Sequence, residues 1–274
     1  MQLIEVFKES LKLMKHEPKV FVPRIFTTFL NTFFVIYAAS ISLKLSRVMN
    51  REMERAGGMG TTPDIGRAIS PFMDEILVFA AFFLLVYAVD ILTYGMYARI
   101  AADFHKRKSI SLSRALKDAV TGARVLMFIG VLATIFVGLF IVIYLLLGRF
   151  YISTQNPLFL LLAIGVMIIA IIAFALVFFF AVPVAMVEGR STKDAVLKSA
   201  SLGMKHKGMV IKVNFLFMAM VLVAMAAVML TEVHGFVAVS AIILFVIARL
   251  FQAIVYTYIS IVNPSLYLSI EEVE

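Results

Sequence analysis

A charged side chain inside an apolar segment persists only when it is paired or functional, because hydrocarbon solvates an ion poorly. The sequence has two such side chains at matching depth. Asp90 lies near the middle of one long apolar run and Arg249 near the middle of another. An aspartate in that position could relay a proton, and an arginine could hold an anion; opposite signs at like depth also suit a plain ion pair. Each heads a polar stripe at helical spacing: Tyr87, Asp90, Tyr94 and Tyr97 in the first run, and Arg249, Gln252, Tyr256 and Ser260 in the second. A third stripe, Arg24, Thr28 and Asn31, lies in the first apolar run. Asn31, Asp90, Tyr94, Arg249 and Gln252 are thus the candidate intramembrane polar cluster, with Asn214 at its cytoplasmic side. Two readings stay open: a buried pair that fixes helix packing, or a hydrophilic cavity for a solute or lipid headgroup. Transporters tend to break their helices at the midplane, and the runs around Asp90 and Arg249 carry no mid-span proline, which favours the packing role.

Other chemistry has little to work with. The chain contains no cysteine, which removes disulfides, thiolate metal sites and cysteine nucleophiles. His16, His105, His206 and His234 show no metal-ligand spacing. There is no H-E-x-x-H, no G-x-S-x-G and no phosphate-binding loop motif. The sequence is therefore read as non-enzymatic, with no catalytic residue, no metal and no cofactor expected. The net charge of +8 could suggest nucleic acid, but the basic residues adjoin apolar segments in place of forming a run with interleaved aromatics. No nucleic-acid partner is expected.

The elements that must position these residues are membrane spans. The sequence is 62% hydrophobic and only 15% charged, where soluble domains carry about 25% charged residues. Crossing a core of about 30 Å takes roughly 20 apolar helical residues. Six runs suffice: Val20–Leu43, Ile76–Ala102, Val125–Leu147, Leu158–Val187, Met209–Leu230 and Phe236–Val262. Residues 1–19 are charged throughout, so no cleavable leader is expected there. Basic residues cluster before the first span (Lys8 to Lys19), between the second and third (Lys106 to Arg124) and between the fourth and fifth (Arg190 to Lys212). The positive-inside rule then puts both termini in the cytoplasm of a plasma-membrane, multi-pass protein. The first external loop, about Leu45 to Glu75, is expected to hold a short helix, Arg47–Ala56, and then a mobile Gly-rich stretch. Short turns are expected at Ser153–Pro157 and Thr231–Gly235. Pro183 is expected to bend the fourth span, and Gly130, Thr134 and Gly138, spaced by four, to form a close-packing face on the third. Glu271, Glu272 and Glu274 read as a solvated end of a short tail, 263–274.

An amphipathic segment precedes each odd-numbered span. Leu3, Phe7, Leu11 and Met14 oppose Lys8, Glu9, Lys12 and Lys15; Leu112, Leu116, Ala119 and Val120 oppose Arg114, Lys117 and Asp118; and Ala195, Val196, Ala200 and Leu202 follow a Ser191–Asp194 capping box. Laying Phe7–Phe21 on Leu197–Ile211 gives five identities, Lys8/Lys198, Met14/Met204, Lys15/Lys205, His16/His206 and Val20/Val210. The expected architecture is therefore all-α integral membrane, a single polytopic domain over residues 1–274. Its six transmembrane helices form three hairpin units, about 1–102, 109–187 and 191–262, each preceded by a cytoplasmic interfacial helix.

The stretch Pro183 to Gly203, PVAMVEGRSTKDAVLKSASLG, resembles the membrane domain attached to some bacterial glycerophosphodiester phosphodiesterases and related six-helix membrane proteins of bacteria and archaea. In that pattern a proline near the end of the fourth span, an apolar pair and a Glu precede a small helix with Ala and Ser on one face. Here these are Pro183, Glu188, Ala195 and Ser199, with Gly203 before the fifth span. The resemblance covers about a tenth of the chain; it implies architecture and lends no catalytic residue. The expected function is a membrane scaffold or accessory subunit with membrane lipid, a protein partner or a homo-oligomer contact. The alternative is a transporter, channel or lipid-handling protein using the polar cluster.

Overall fold

The computed structural model describes residues 3–59, 66, 69–107, 109–232 and 239–272. Among these the regular structure is helical: α1 (Leu3–His16), α2 (Val22–Met59), α3 (Met73–Arg107), α4 (Leu112–Thr121), α5 (Ala123–Thr154), α6 (Pro157–Phe178), α7 (Ala181–Glu188), α8 (Thr192–Lys205), α9 (Lys207–Glu232) and α10 (Val239–Glu271), with 3-10 turns at Pro18–Phe21 and Ser70–Phe72. Among the described residues, six helical stretches are long and apolar enough to cross a membrane: Pro18–Arg55, Ser70–Arg107, Ala123–Thr154, Pro157–Glu188, Lys207–Thr231 and Ile242–Glu271. The chain is an all-α protein of multi-pass membrane type. Phe236, expected to open the sixth span, and the turn residues Val233 to Gly235 lie outside the described residues, as do Gly60 to Pro63 of the expected mobile stretch.

Local chemistry sets the helix ends. Ser111 accepts from the Arg114 N–H at 3.4 Å to start α4, and Ser191 accepts from the Asp194 N–H at 3.3 Å to start α8. Asn156 caps α6 through the Leu158 N–H at 3.0 Å, with Pro157 at the first helical position where its missing N–H costs nothing. Gly189 closes α7 at φ +67°, a left-handed conformation that favours glycine.

The chain forms two compact units, residues 25–90 and residues 1–24 with 91–274. In the first, α2 and α3 are joined by the Lys44–Glu75 ion pair at 3.1 Å and by Phe34, which meets Phe79, Phe82 and Phe83 with ring centroids 5.1–6.0 Å apart. Here the expected loop is corrected. Where a loop was expected from Leu45, with a separate helix at Arg47–Ala56, α2 runs unbroken to Met59. Nothing between Leu45 and Ala56 stops a helix: the segment lacks Gly and Pro, and Arg55 pairs with Glu52 one turn earlier at 3.0 Å. At 38 residues α2 is about 57 Å long, well beyond a bilayer core.

In the second unit α5 packs on α6 and α9 on α10, while α8 lies against α6 and α7, and α1 against α10. Arg99 on α3 holds Asp118 on α4 at 2.8 Å. Two glycines sit where a methyl would collide. A Cβ on Gly95 would lie 2.5 Å from Leu126 Cδ1, and one on Gly203 would lie 2.0 Å from the Leu176 carbonyl oxygen. The expected Gly130–Thr134–Gly138 packing face is corrected, because Thr134 is exposed and a Cβ on Gly138 would meet nothing within 4 Å. The α5–α6 contact instead runs through Phe136, which meets Phe174 and Phe178 at 6.2 and 5.7 Å.

The buried faces of α1 and α8 share one spacing: Val6, Ser10, Leu13, Met14 and Ala195, Ser199, Leu202, Gly203. That pairing is displaced by one residue from the pairing that aligns the sequence identities. The expected tail is also corrected. Residues 263–271 continue α10, with Leu266 and Tyr267 fully buried, because the segment carries an apolar face that packs beneath α7 and α1.

Candidate functional site

A proline deletes one hydrogen bond from a helix: its nitrogen cannot donate to the carbonyl four residues earlier. For Pro183 that carbonyl belongs to Phe179, and there the helix breaks, α6 ending at Phe178 and α7 starting at Ala181. Both stranded backbone groups are taken up by side chains from elsewhere. Asn263 Nδ2 on α10 donates to the Phe179 oxygen at 2.8 Å, and the Phe180 N–H donates to Ser199 Oγ on α8 at 3.1 Å. Ser199 and Ala195 are fully buried, and Gly203 lets α8 reach the α6 backbone. The break, its two caps and the glycine contact form one joint.

About two turns beyond the break, Glu188 gathers charge. Its carboxylate accepts from Lys198 Nζ at 2.5 Å, from Arg190 Nε and from the buried Tyr267 hydroxyl. Lys198 also pairs with Glu271 at 2.5 Å and lies 5.8 Å from the Tyr267 ring centroid. Partial burial works against the Lys198 charge, but the bonds to Glu188 and Glu271 outweigh it and hold its pKa above the ordinary lysine value. Next to this cluster His105 Nε2 meets Glu272 Oε1 at 2.5 Å. Glu271 and Glu272 therefore tie the end of α10 to α8 and α3, which corrects their reading as a solvated end. Asn263, Lys198, Tyr267 and Glu271 were missed as a group. The available signal was Pro183 itself, which announces an orphan carbonyl but not its partner.

The expected polar cluster divides. Asn31, which is exposed, and Asp90, which is half-buried, belong to the 25–90 unit; Tyr94, Arg249 and Gln252 belong to the other. Within the latter, Arg249 Nη1 donates to Gln252 Oε1 at 3.0 Å and Gln252 Nε2 donates to the Tyr256 hydroxyl at 3.1 Å, one stripe along α10. Arg24 is the more enclosed cation, 3% exposed. Its guanidinium stands 4.6 Å from the Tyr94 ring, 5.8 Å from Tyr256 and 5.9 Å from Tyr97, and donates to Ser260 Oγ at 2.8 Å. Such a cage stabilises a cation by quadrupole attraction, by about 2 kcal/mol when desolvated. Tyr97 is fully buried, and its hydroxyl donates to the Val20 carbonyl at 2.8 Å. Asn214 is half-buried on α9.

Chemically, the joint can hold helix ends and the arginines can attract anionic groups. Among the described residues no group of three or more His, Asp or Glu side chains could hold a metal ion. No protein-family model, no curated protein and no solved structure matches this chain.

Proposed function

We propose that the chain is a non-enzymatic multi-pass protein of the plasma membrane, with both termini cytoplasmic, that acts as a scaffold or accessory subunit organising lipid or a partner protein. The observation that carries this reading is the joint at Phe179–Phe180. Its polar groups, Asn263, Ser199, Glu188, Lys198 and Tyr267, are engaged with one another and with the backbone, which suits a fixed platform better than a reactive centre. The basic segments before the odd-numbered spans support the orientation, and three repeated units of interfacial helix plus hairpin remain the organising plan. The likeness of Pro183–Gly203 to the membrane domain of some glycerophosphodiester phosphodiesterases fits the same reading, since the quoted residues are those of the joint.

Native mass spectrometry after gentle extraction from the protein's own membrane tests it. A second protein or second copy in stoichiometric amount supports the scaffold; a bound small anion with no protein partner counts against it. The Arg24 cage and the Arg249–Gln252–Tyr256 stripe favour a second reading, a transporter, channel or lipid-handling protein. Because the chain has no cysteine, Gln252→Cys gives a single thiol. Labelling by a membrane-impermeant reagent from one side supports a water-filled path, and failure from both sides removes it.

A further inference from the structure

α1 and α4 share a rotational order that the packing of the protein does not require, and α8 exposes the same residue types in a different order. In α1 the buried face is Val6, Ser10, Leu13 and Met14. Turning by about 100° per residue, the next sector carries Ile4 and Leu11, both large, apolar and exposed, and the sector after that carries Lys8, Lys12 and Lys15, all exposed. In α4 Ala115 and Ala119 are buried, Leu116 and Val120 are exposed on the same hand, and Arg114 and Lys117 follow, with Arg124 just beyond the helix. In α8 the buried face is Ala195, Ser199, Leu202 and Gly203. There Leu197 and Met204, each 59% exposed, lie nearly opposite the buried face, with exposed Lys193 close beside them and exposed Lys205 on their other side.

Each helix leads straight into a span, α1 into α2, α4 into α5 and α8 into α9. Since those are the first, third and fifth of six crossings, all three lie at the same membrane face. An apolar shoulder at that depth meets acyl chains, and a basic strip beside it meets headgroups. We propose that α1, α4 and α8 form a binding collar for anionic phospholipid, the shoulders seated among acyl chains and the Lys and Arg strips on headgroup phosphates. Charge complementarity selects the occupant: the strips are basic, and a neutral headgroup offers no net attraction. The inference rests on the proposed membrane-scaffold reading for the placement of these helices and adds the chemical class of lipid.

The chain has no tryptophan, so Leu116→Trp is a single fluorescent probe on the α4 shoulder. The full-length variant is placed in nanodiscs containing brominated anionic phospholipid or, at equal mole fraction, brominated neutral phospholipid. Stronger quenching by the anionic lipid is expected, an enrichment of about fivefold per engaged basic side chain, falling to parity in the Arg114→Glu, Lys117→Glu, Arg124→Glu background. High salt on the unmodified-charge protein should reduce the preference in the same direction, a check that does not depend on the triple variant folding. Equal quenching by both lipids, or a preference that survives both charge reversal and salt, overturns the proposal. No quenching by either lipid overturns it as well, because the shoulder then lies outside the bilayer. Failure of the scaffold reading shows separately, as a missing partner in native mass spectrometry with this lipid preference intact.

Discussion

If Asn263 replaces the hydrogen bond that Pro183 deletes, the two residues must be energetically coupled although 80 positions apart. Asn263 Nδ2 donates to the Phe179 oxygen at 2.8 Å, and removing it as Asn263→Leu keeps the forked shape of the side chain while stranding a part-buried carbonyl. An unsatisfied buried acceptor costs about 1–3 kcal/mol, and an apolar surround puts the effect toward the upper half of that range. In a Pro183→Ala background the new N–H of residue 183 can reach the Phe179 oxygen in the ordinary helical way, so Asn263→Leu should cost under about 0.5 kcal/mol. The coupling energy of the double-mutant cycle is then about 1.5–2.5 kcal/mol, above the scatter expected of independent sites. Far-UV circular dichroism during titration from mild detergent into SDS measures all four proteins, and mixed-micelle denaturation suits a chain without tryptophan. An equal cost of Asn263→Leu in both backgrounds would refute the reasoning, since Asn263 would then be packing against the joint without supplying the proline's missing bond.

The same assay reads the rest of the joint. Gly203→Ala should destabilise by about 3 kcal/mol or more, because its Cβ would lie 2.0 Å from the Leu176 oxygen. Gly138→Ala and Gly165→Ala, both in open space, should be neutral or gain the fraction of a kcal/mol that helix propensity gives, about 0.5–1 kcal/mol. Ser199→Ala removes the acceptor of the Phe180 N–H and should cost about 1–3 kcal/mol, measured as a fall in the denaturation midpoint. Lys198 titrates higher when folded than the ordinary value of 10.5, so its contribution is complete below that pH and is lost as pH rises through the folded pKa. Thermal midpoints of the native protein and Lys198→Met should therefore differ by a constant amount at neutral pH and converge under strongly alkaline conditions; a gap that persists there would mean packing, not charge, is what Lys198 supplies.

Hydropathy made the six spans legible because apolar length is a direct requirement of the bilayer. It did not make helix ends legible. α2 continues to Met59 since leaving hydrocarbon does not by itself stop a helix, and the residues after Leu43 are good helix formers. The break near Pro183 was legible from covalent chemistry alone, whereas Asn263 and Ser199 as its caps were not, because a sequence states an unmet donor or acceptor without stating what stands opposite. Glu271 and Glu272 misled for the same reason: at a chain end they look solvated, and only the fold brings Lys198 and His105 to them. The spacing of Gly130, Thr134 and Gly138 identified one helical face correctly but not whether another helix covers it. Of the candidate polar residues, the Arg249–Gln252 bond is the i,i+3 contact that helical spacing implies. Arg24 was recognised as polar and placed in a stripe, but its cage takes Tyr94 and Tyr97 from α3 and Tyr256 from α10.

The depth of the joint bears on which function it can support. α6 has 22 residues before the break, about 33 Å of helix, which crosses a hydrocarbon core unaided. A core entered at Pro157 is already crossed at the Phe179–Phe180 break, unlike the midplane breaks where discontinuous helices bind transported ions. What it accomplishes is local: α7 can leave the line of α6 and carry Glu188 to Lys198, Arg190 and Tyr267. That cluster balances two carboxylates, Glu188 and Glu271, against Lys198 and Arg190. A carboxylate already accepting from an ammonium, a guanidinium and a phenol has few free lone pairs left to take a substrate proton. The same saturation is what a fixed corner needs, because the Phe179 carbonyl and the Phe180 N–H at the break are each answered by a specific side chain. The chemistry concentrated at this corner therefore argues for position-holding, and any binding role is better sought on the exposed basic strips of α1, α4 and α8 than in the joint itself.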